Sequence, residues 1–249
     1  MSVLEALAIV GAGLAAGTIN TIVGSGSLIT FPTLLAFGFA PVVANVSNTI
    51  GLVPGSLSGA VAYRSELQGQ RPRLVVLGMA SVAGGIAGAI LLLALPGSVF
   101  RHVVPVLILI ACGLVALQPR LSARLALRAD RPQHGGPVLF GSVFLTGVYG
   151  GYFGAAQGVI LLSLLGIFLS DHLQKLNATK NVLAFLVNGV AGLIFIAFAH
   201  VAWEAAGLLA AGSVVGGQVG GTLGRRLPAP LLRGLIVAVG VAAAIALLV

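Results

Sequence analysis

Apolar residues run almost unbroken along this chain, interrupted at intervals by short polar or basic stretches. The hydrophobic segments lie at roughly 3–39, 42–63, 74–95, 103–118, 137–170, 178–199, 204–223 and 232–249. A membrane-spanning helix needs about 20 apolar residues, and most of these segments are of that order. Two, 3–39 and 137–170, are too long for one crossing. Each is broken by glycine and polar residues, "NTIVGSGSLITFP" in the first and "GGYFGAAQGV" in the second. The pattern predicts a hairpin of two helices in each. Continuous runs of this kind argue against a β-barrel, whose strands alternate over short segments.

Composition strengthens the membrane reading. Of the 249 residues 58% are hydrophobic and 7% charged, whereas a soluble domain is about one quarter charged. The start, "MSVLEALAIVGAG", carries Glu5 and no basic residue, so it reads as the first membrane segment and not as a cleaved signal. The lone Cys112 has no partner for an intrachain disulfide.

The net charge of +8 would suggest nucleic acid in a soluble protein; here its distribution gives a topology. Placing the loops Arg64–Arg73, Arg120–Arg131, Asp171–Lys180 and Arg225–Arg233 in the cytoplasm puts 12 of the 13 Lys and Arg residues inside and leaves Arg101 outside. Segment 42–63 then runs inward and 178–199 outward. The segment 137–170 must return to the side it left, and 3–39 does the same from the outer side.

The halves also match in sequence. At an offset of 132, Gly26 falls on Gly158 and Asn45 on Asn177. The expected architecture is all-α: a polytopic helical integral membrane protein with two inverted-topology repeats. Each repeat is a Gly-broken hairpin followed by three transmembrane helices, 1–118 and 137–249. A basic linker, 119–136, joins them, and its arginines read as a solvated loop beside anionic headgroups.

Unpaired backbone at membrane depth must be buried in protein or line a cavity. The second arm of each hairpin is about 12 residues, or roughly 18 Å of helix, which reaches the middle of a ~30 Å hydrocarbon core. Two helix N-termini, entering from opposite faces, are therefore expected to converge there with free N–H groups, an environment that favours an anion. In the first turn Gly24 and Gly26 permit close approach, and Ser25 and Ser27 add hydroxyls. In the second, Gly158 and Gln157 are the counterparts. The competing reading is helix packing. It is the preferred one for most GxxxG spacings, among them Gly84/Gly88, Gly147/Gly151, Gly212/Gly216 and Gly216/Gly220.

Polar residues gather again after each hairpin: Asn45 and Asn48 in "PVVANVSNT", then Asn177, Thr179, Lys180 and Asn181 in "NATKN". Asn20 and Asn188 are further candidates. Lys180 suits an anionic substrate, or it snorkels at the cytoplasmic interface. Both helix starts lie near opposite surfaces, so these side chains line access paths or bond to the hairpin turns.

The stretch "GLAAGTINTIVGSGSLITFPTLLAFGFAPVVANVSNTIGL", its weaker copy "GVYGGYFGAAQGVILLSLLGIFLSDHLQKLNATKNVLAF" and the basic linker together resemble the TauE/SafE sulfite exporter family of bacterial and archaeal permeases. The resemblance spans essentially the whole chain. It implies transport of sulfite, sulfonates or related small anions across the bacterial inner membrane, with Gly24, Ser25, Gly26, Asn45 and Asn48 matching the first motif. The second copy departs from the first at Leu164, opposite Pro32, and "VSNT" has become "ATKN".

The function expected is that of a secondary transporter for a small anion, working by alternating access. The alternatives are a channel-like uniporter and a non-transporting scaffold. No GxxxxGK[ST] motif is present, so no nucleotide, and no other cofactor or metal, is expected. No mid-membrane base stands ready for the serines of "GSGS", which argues against an enzyme. The partners expected are the anion and the lipid bilayer, not nucleic acid, with homo-oligomerisation left open.

Overall fold

The computed structural model describes residues 1–126, 136–223 and 229–248, and among these there is no strand. Ten α-helices follow one another: α1 (Val3–Ile22), α2 (Ser27–Ala36), α3 (Pro41–Ala62), α4 (Arg71–Ala94), α5 (Gly97–Ala126), α6 (Gly136–Tyr152), α7 (Gln157–Phe168), α8 (Leu173–Phe198), α9 (Trp203–Leu223) and α10 (Ala229–Leu248).

Local chemistry sets the ends that matter. Helix α1 opens with a capping box, in which Ser2 accepts from the amide of Glu5 while the Glu5 carboxylate accepts from the amide of Ser2. It stops at Gly24, whose φ of 90° is left-handed. Helix α6 stops the same way at Gly154, φ 76°. Ala156 just beyond is also left-handed, φ 57°, a strained conformation for a residue with a β-carbon. The Tyr149 hydroxyl donates to the Ala155 carbonyl at 2.5 Å and staples this second turn. Helix α3 begins on Pro41, where a missing N–H is harmless.

Both long hydrophobic segments are thus hairpins, as the pattern predicts, but with unequal arms. Helix α1 has 20 residues and α2 has 10. Two other helices extend past their hydrophobic cores. Helix α8 starts at residue 173, five residues before its apolar run, because "LQKL" continues the helix with charged and polar side chains. Helix α5 runs from Gly97 through Pro119 to Ala126, so the first part of the expected linker is helical. The arginines at 128 and 131, and those at 225 and 226, lie outside the described residues.

Small-residue seams hold the helices together. A β-carbon on Gly13 or Gly17 of α1 would strike α9 backbone at Leu209 or Ser213. One on Gly212, Gly216 or Gly220 would strike α1 in return. Gly84 and Gly88 of α4 meet Gly147, Val148 and Tyr152 of α6 in the same manner. Packing is therefore the role of these GxxxG spacings. The principal helix pairs also obey an exchange: α1 packs on α9 as α6 packs on α4, α3 on α9 as α8 on α4, and α5 on α7 as α10 on α2. Pairs α3–α8 and α5–α10 map onto themselves.

The exterior is apolar. Val75, Met79 and Ile90 of α4, Val106 and Ile110 of α5, and Leu193 and Phe198 of α8 are exposed. Among the described residues, four helices are long and apolar enough to cross a membrane: Val3–Ile22, Arg71–Ala94, Gly97–Leu117 and Leu173–Phe198. This is the arrangement of a polytopic helical membrane protein, with lipid as solvent for the outer faces.

Candidate functional site

The two hairpin turns meet. The Gly158 amide at the head of α7 donates to the Gly24 carbonyl at 3.0 Å, and a β-carbon on either glycine would overlap the other's backbone. At the contact itself glycine therefore serves close packing. Gly26 is equally confined, against the Ala16 carbonyl of its own hairpin. Phe31 of α2 stacks edge-on against Phe153 of the second turn at 5.2 Å, and both pack on Phe100 of α5.

Four of the six polar residues singled out after the hairpins, Asn45, Asn177, Lys180 and Asn181, bond to the turn of the other half. Asn45 on α3 donates to the Tyr152 carbonyl at the C-terminus of α6, at 3.0 Å. Asn177 on α8, its equivalent at offset 132, donates to the Thr21 carbonyl at the C-terminus of α1, at 3.1 Å. A broken helix leaves its last carbonyls without intrahelical donors, and these amides supply them from across the molecule. Of the two readings offered by the sequence, lining an access path or bonding to the turns, these two asparagines take the second.

Lys180 joins the same cap. It is fully buried, and its ammonium donates to the carbonyls of Asn20 and Thr21 at 3.0 and 3.1 Å. Asn181 adds a longer bond to Thr21, at 3.4 Å. The snorkelling alternative does not describe Lys180. The early start of α8 sets it two turns inside the helix, where its side chain reaches the C-terminal, negative end of the α1 dipole. The equivalent position in the first half is Asn48, whose side-chain oxygen accepts from Thr30 on α2. The α6 C-terminus has no ammonium of this kind among the described residues.

Four polar atoms near the turns are buried with no hydrogen-bond partner: Ser25 Oγ, Gln157 Nε2, Asn45 Oδ1 and Asn177 Oδ1. They form two equivalent pairs, since Ser25 corresponds to Gln157 and Asn45 to Asn177. The Gln157 amide lies against Gly150, where a β-carbon would displace it. Buried groups of this kind cost about 1–3 kcal/mol each unless something completes them.

The remaining candidates separate. Ser27 is half-buried at the first position of α2. Thr179 points away from the turns, donating to the Gln70 side chain at 2.8 Å. It belongs to a polar cluster that includes the Arg73–Asp171 ion pair and the His172–Glu66 contact. Asn20 and Asn188 both reach Ser56 Oγ, at 3.5 and 3.4 Å. Ser56 and Thr30 were not foreseen. Ser56 is the offset-132 counterpart of Asn188, which is the signal that could have found it.

Each half is broken at a turn whose end is capped from the other half, with unpaired polar atoms buried nearby, an arrangement that membrane transporters share. The chain matches the sulfite exporter TauE/SafE family over residues 9–247 and belongs to it. It is 29% identical over 244 residues to a "Probable membrane transporter protein ORF9" of Sinorhizobium sp, an alignment covering 94% of this chain and 88% of that one. It is 31% identical over 229 residues to a "Probable membrane transporter protein" of Haemophilus influenzae, covering 88% and 87% of the two chains. The "Probable membrane transporter protein YfcA" of Escherichia coli is 28% identical over 229 residues, covering 87% of this chain and 81% of its own. No solved structure matches the chain.

Proposed function

We propose that this membrane transporter carries a small anion, sulfite or a related sulfonate or organic acid, across the bacterial inner membrane. Residues 1–118 and 137–249 act as inverted repeats joined by the basic linker 119–136, and the solute crosses by alternating access as one repeat rocks against the other. The observation that carries this reading is Lys180, a fully buried ionisable side chain bonded to the carbonyls of Asn20 and Thr21 at the end of the first broken helix. Ionisable residues inside a membrane protein are costly and mark solute pathways. Ser25, Gln157, Asn45 and Asn177, at or bonded to the two turns, add buried polar atoms without a partner. Flux of labelled hydrogensulfite, sulfate, sulfonates and carboxylates in proteoliposomes tests the proposal; a protein that moves none of them is not an anion transporter.

A potential-driven uniporter is the second reading, supported by the placement of the acids. The described acidic residues Glu5, Glu66, Asp171 and Glu204 lie at helix starts or in loops, where none can carry a proton through the core. An anion leaving a negative interior gains about 2.3 kcal/mol per charge per 100 mV. Flux that follows an imposed potential and ignores an imposed pH gradient selects this variant over proton coupling.

A further inference from the structure

A cavity of about 870 Å³ opens between α2 and α10, and no residue of either hairpin turn lines it. Its walls are apolar, with Pro32 and Leu35 from α2 and Val239, Ala243 and Leu247 from α10. The small side chain of Ala243 leaves volume that a larger one would fill. From Val239 to Leu247 the apolar wall follows α10 for roughly 12 Å. Among the described lining residues Thr33 alone has a hydroxyl, and it is spent on the Ile29 carbonyl of its own helix, at 2.8 Å.

One charge stands at the mouth. Arg101, in the second turn of α5, lines the cavity beside the loop 38–41, and its side chain is exposed. Among the described residues no carboxylate pairs with it. The α3 N-terminus opens on the same rim, since Ala40 and Pro41 line the cavity, and no side chain caps that helix. Its positive dipole end adds to the field of the guanidinium.

A small hydrated anion gains nothing from apolar walls, whereas an amphiphile uses both parts of this cavity. We infer that the cavity holds one acyl chain of an anionic phospholipid, whose phosphate is bound by Arg101 at the rim. A guanidinium fork matches two phosphate oxygens at once. The acyl chain only exchanges one apolar medium for another, so selection among lipids falls to the head group. The inference does not depend on which solute the protein carries.

The test needs a local reporter, because the 12 other Lys and Arg residues also attract anionic lipid. Leu247→Trp places an indole on the cavity wall, and Trp203→Phe removes the one native tryptophan. This double variant of the full chain is reconstituted in phosphatidylcholine bilayers that contain rising fractions of a brominated quencher. The quenchers are dibrominated phosphatidylglycerol, dibrominated phosphatidylcholine and dibrominated oleate. Phosphatidylglycerol should quench with an apparent affinity about fivefold above that of phosphatidylcholine, the worth of one basic residue beside an anionic head group. Adding Arg101→Gln should bring that ratio to about one. Arg71→Gln, at an exposed arginine that opens α4 and does not line the cavity, should leave it unchanged. If Leu247→Trp does not elute as a folded species, Ala36→Trp, exposed on the α2 wall, takes its place. Equal quenching by the two phospholipids with Arg101 present overturns the inference, as does a preference that survives Arg101→Gln. Tighter association of the fatty acid than of phosphatidylglycerol overturns it in favour of a single-chain amphiphile. Absence of quenching by all three overturns it in favour of a protein occupant such as a second copy of this chain. Each of these outcomes leaves the anion-transport reading standing.

Discussion

Replacing Gly158 by alanine adds a β-carbon where the Gly24 backbone already lies. Nothing at that contact is the end of a flexible side chain, so the two turns must separate. Overpacking of this kind costs about 1–3 kcal/mol. Separation also lengthens the 3.0 Å bond from the Gly158 amide to the Gly24 carbonyl, a buried interaction whose net value is about 1 kcal/mol. The sum, about 2–4 kcal/mol, corresponds to a fall in unfolding midpoint of roughly 4–16 °C for a chain of this size. The single cysteine, buried Cys112, provides the readout, since a thiol-reactive fluorophore reaches it only on unfolding. Gly207→Ala is the internal control. It sits on α9 with nothing near its would-be β-carbon, and helix propensity predicts no loss or a gain of up to about 1 kcal/mol. If Gly158→Ala melts within about 2 °C of wild type, the turns do not press on each other as described.

Larger side chains at the turns, Gly26→Leu or Gly158→Leu, enter space already filled by backbone and should abolish flux in proteoliposomes and lower the unfolding midpoint by more than Gly158→Ala does. Asn45→Ala leaves the Tyr152 carbonyl buried without its donor and should cost about 1–3 kcal/mol in thermal or denaturant unfolding. Asn177→Ala should cost less, because Lys180 and Asn181 still donate to Thr21. In a double-mutant cycle, Arg73 and Asp171 should show a coupling of about 0.5–1 kcal/mol, with additivity marking the pair as energetically idle. Cysteines introduced at 40 and 172, in a Cys112→Ser background, should react with impermeant reagent from outside and inside respectively. Reversed accessibility would contradict the inverted arrangement.

Hydropathy alone located the helices of this molecule to within a few residues, because lipid-facing sides must be apolar whatever lies within. Its errors came where a helix leaves the hydrocarbon. Lys175 made the start of α8 look like loop, and Pro119 made α5 look finished. The first error carried over to the site. With α8 taken to begin at 178, Lys180 stood at a helix start, where it could face the substrate or snorkel; with α8 beginning at Leu173 it is enclosed. The candidate asparagines were legible as polar residues at matched positions. The partners of Asn45, Asn177 and Asn181 were not, because a backbone carbonyl has no sequence signature and each of these bonds spans more than one hundred residues. Thr30 was hidden for a related reason. One hydroxyl in an apolar helix looks incidental until Asn48 is seen against it.

The unmatched lysine has an energetic corollary. Two interchangeable halves would give a molecule whose outward- and inward-tilted forms are isoenergetic, like a balance with equal pans. Lys180 in one pan and Asn48 in the other break that equivalence, as do the other positions at which the halves differ, Leu164 against Pro32 among them. In the alternating-access reading proposed above, the two forms of the unloaded protein therefore differ in energy through many side chains and not one.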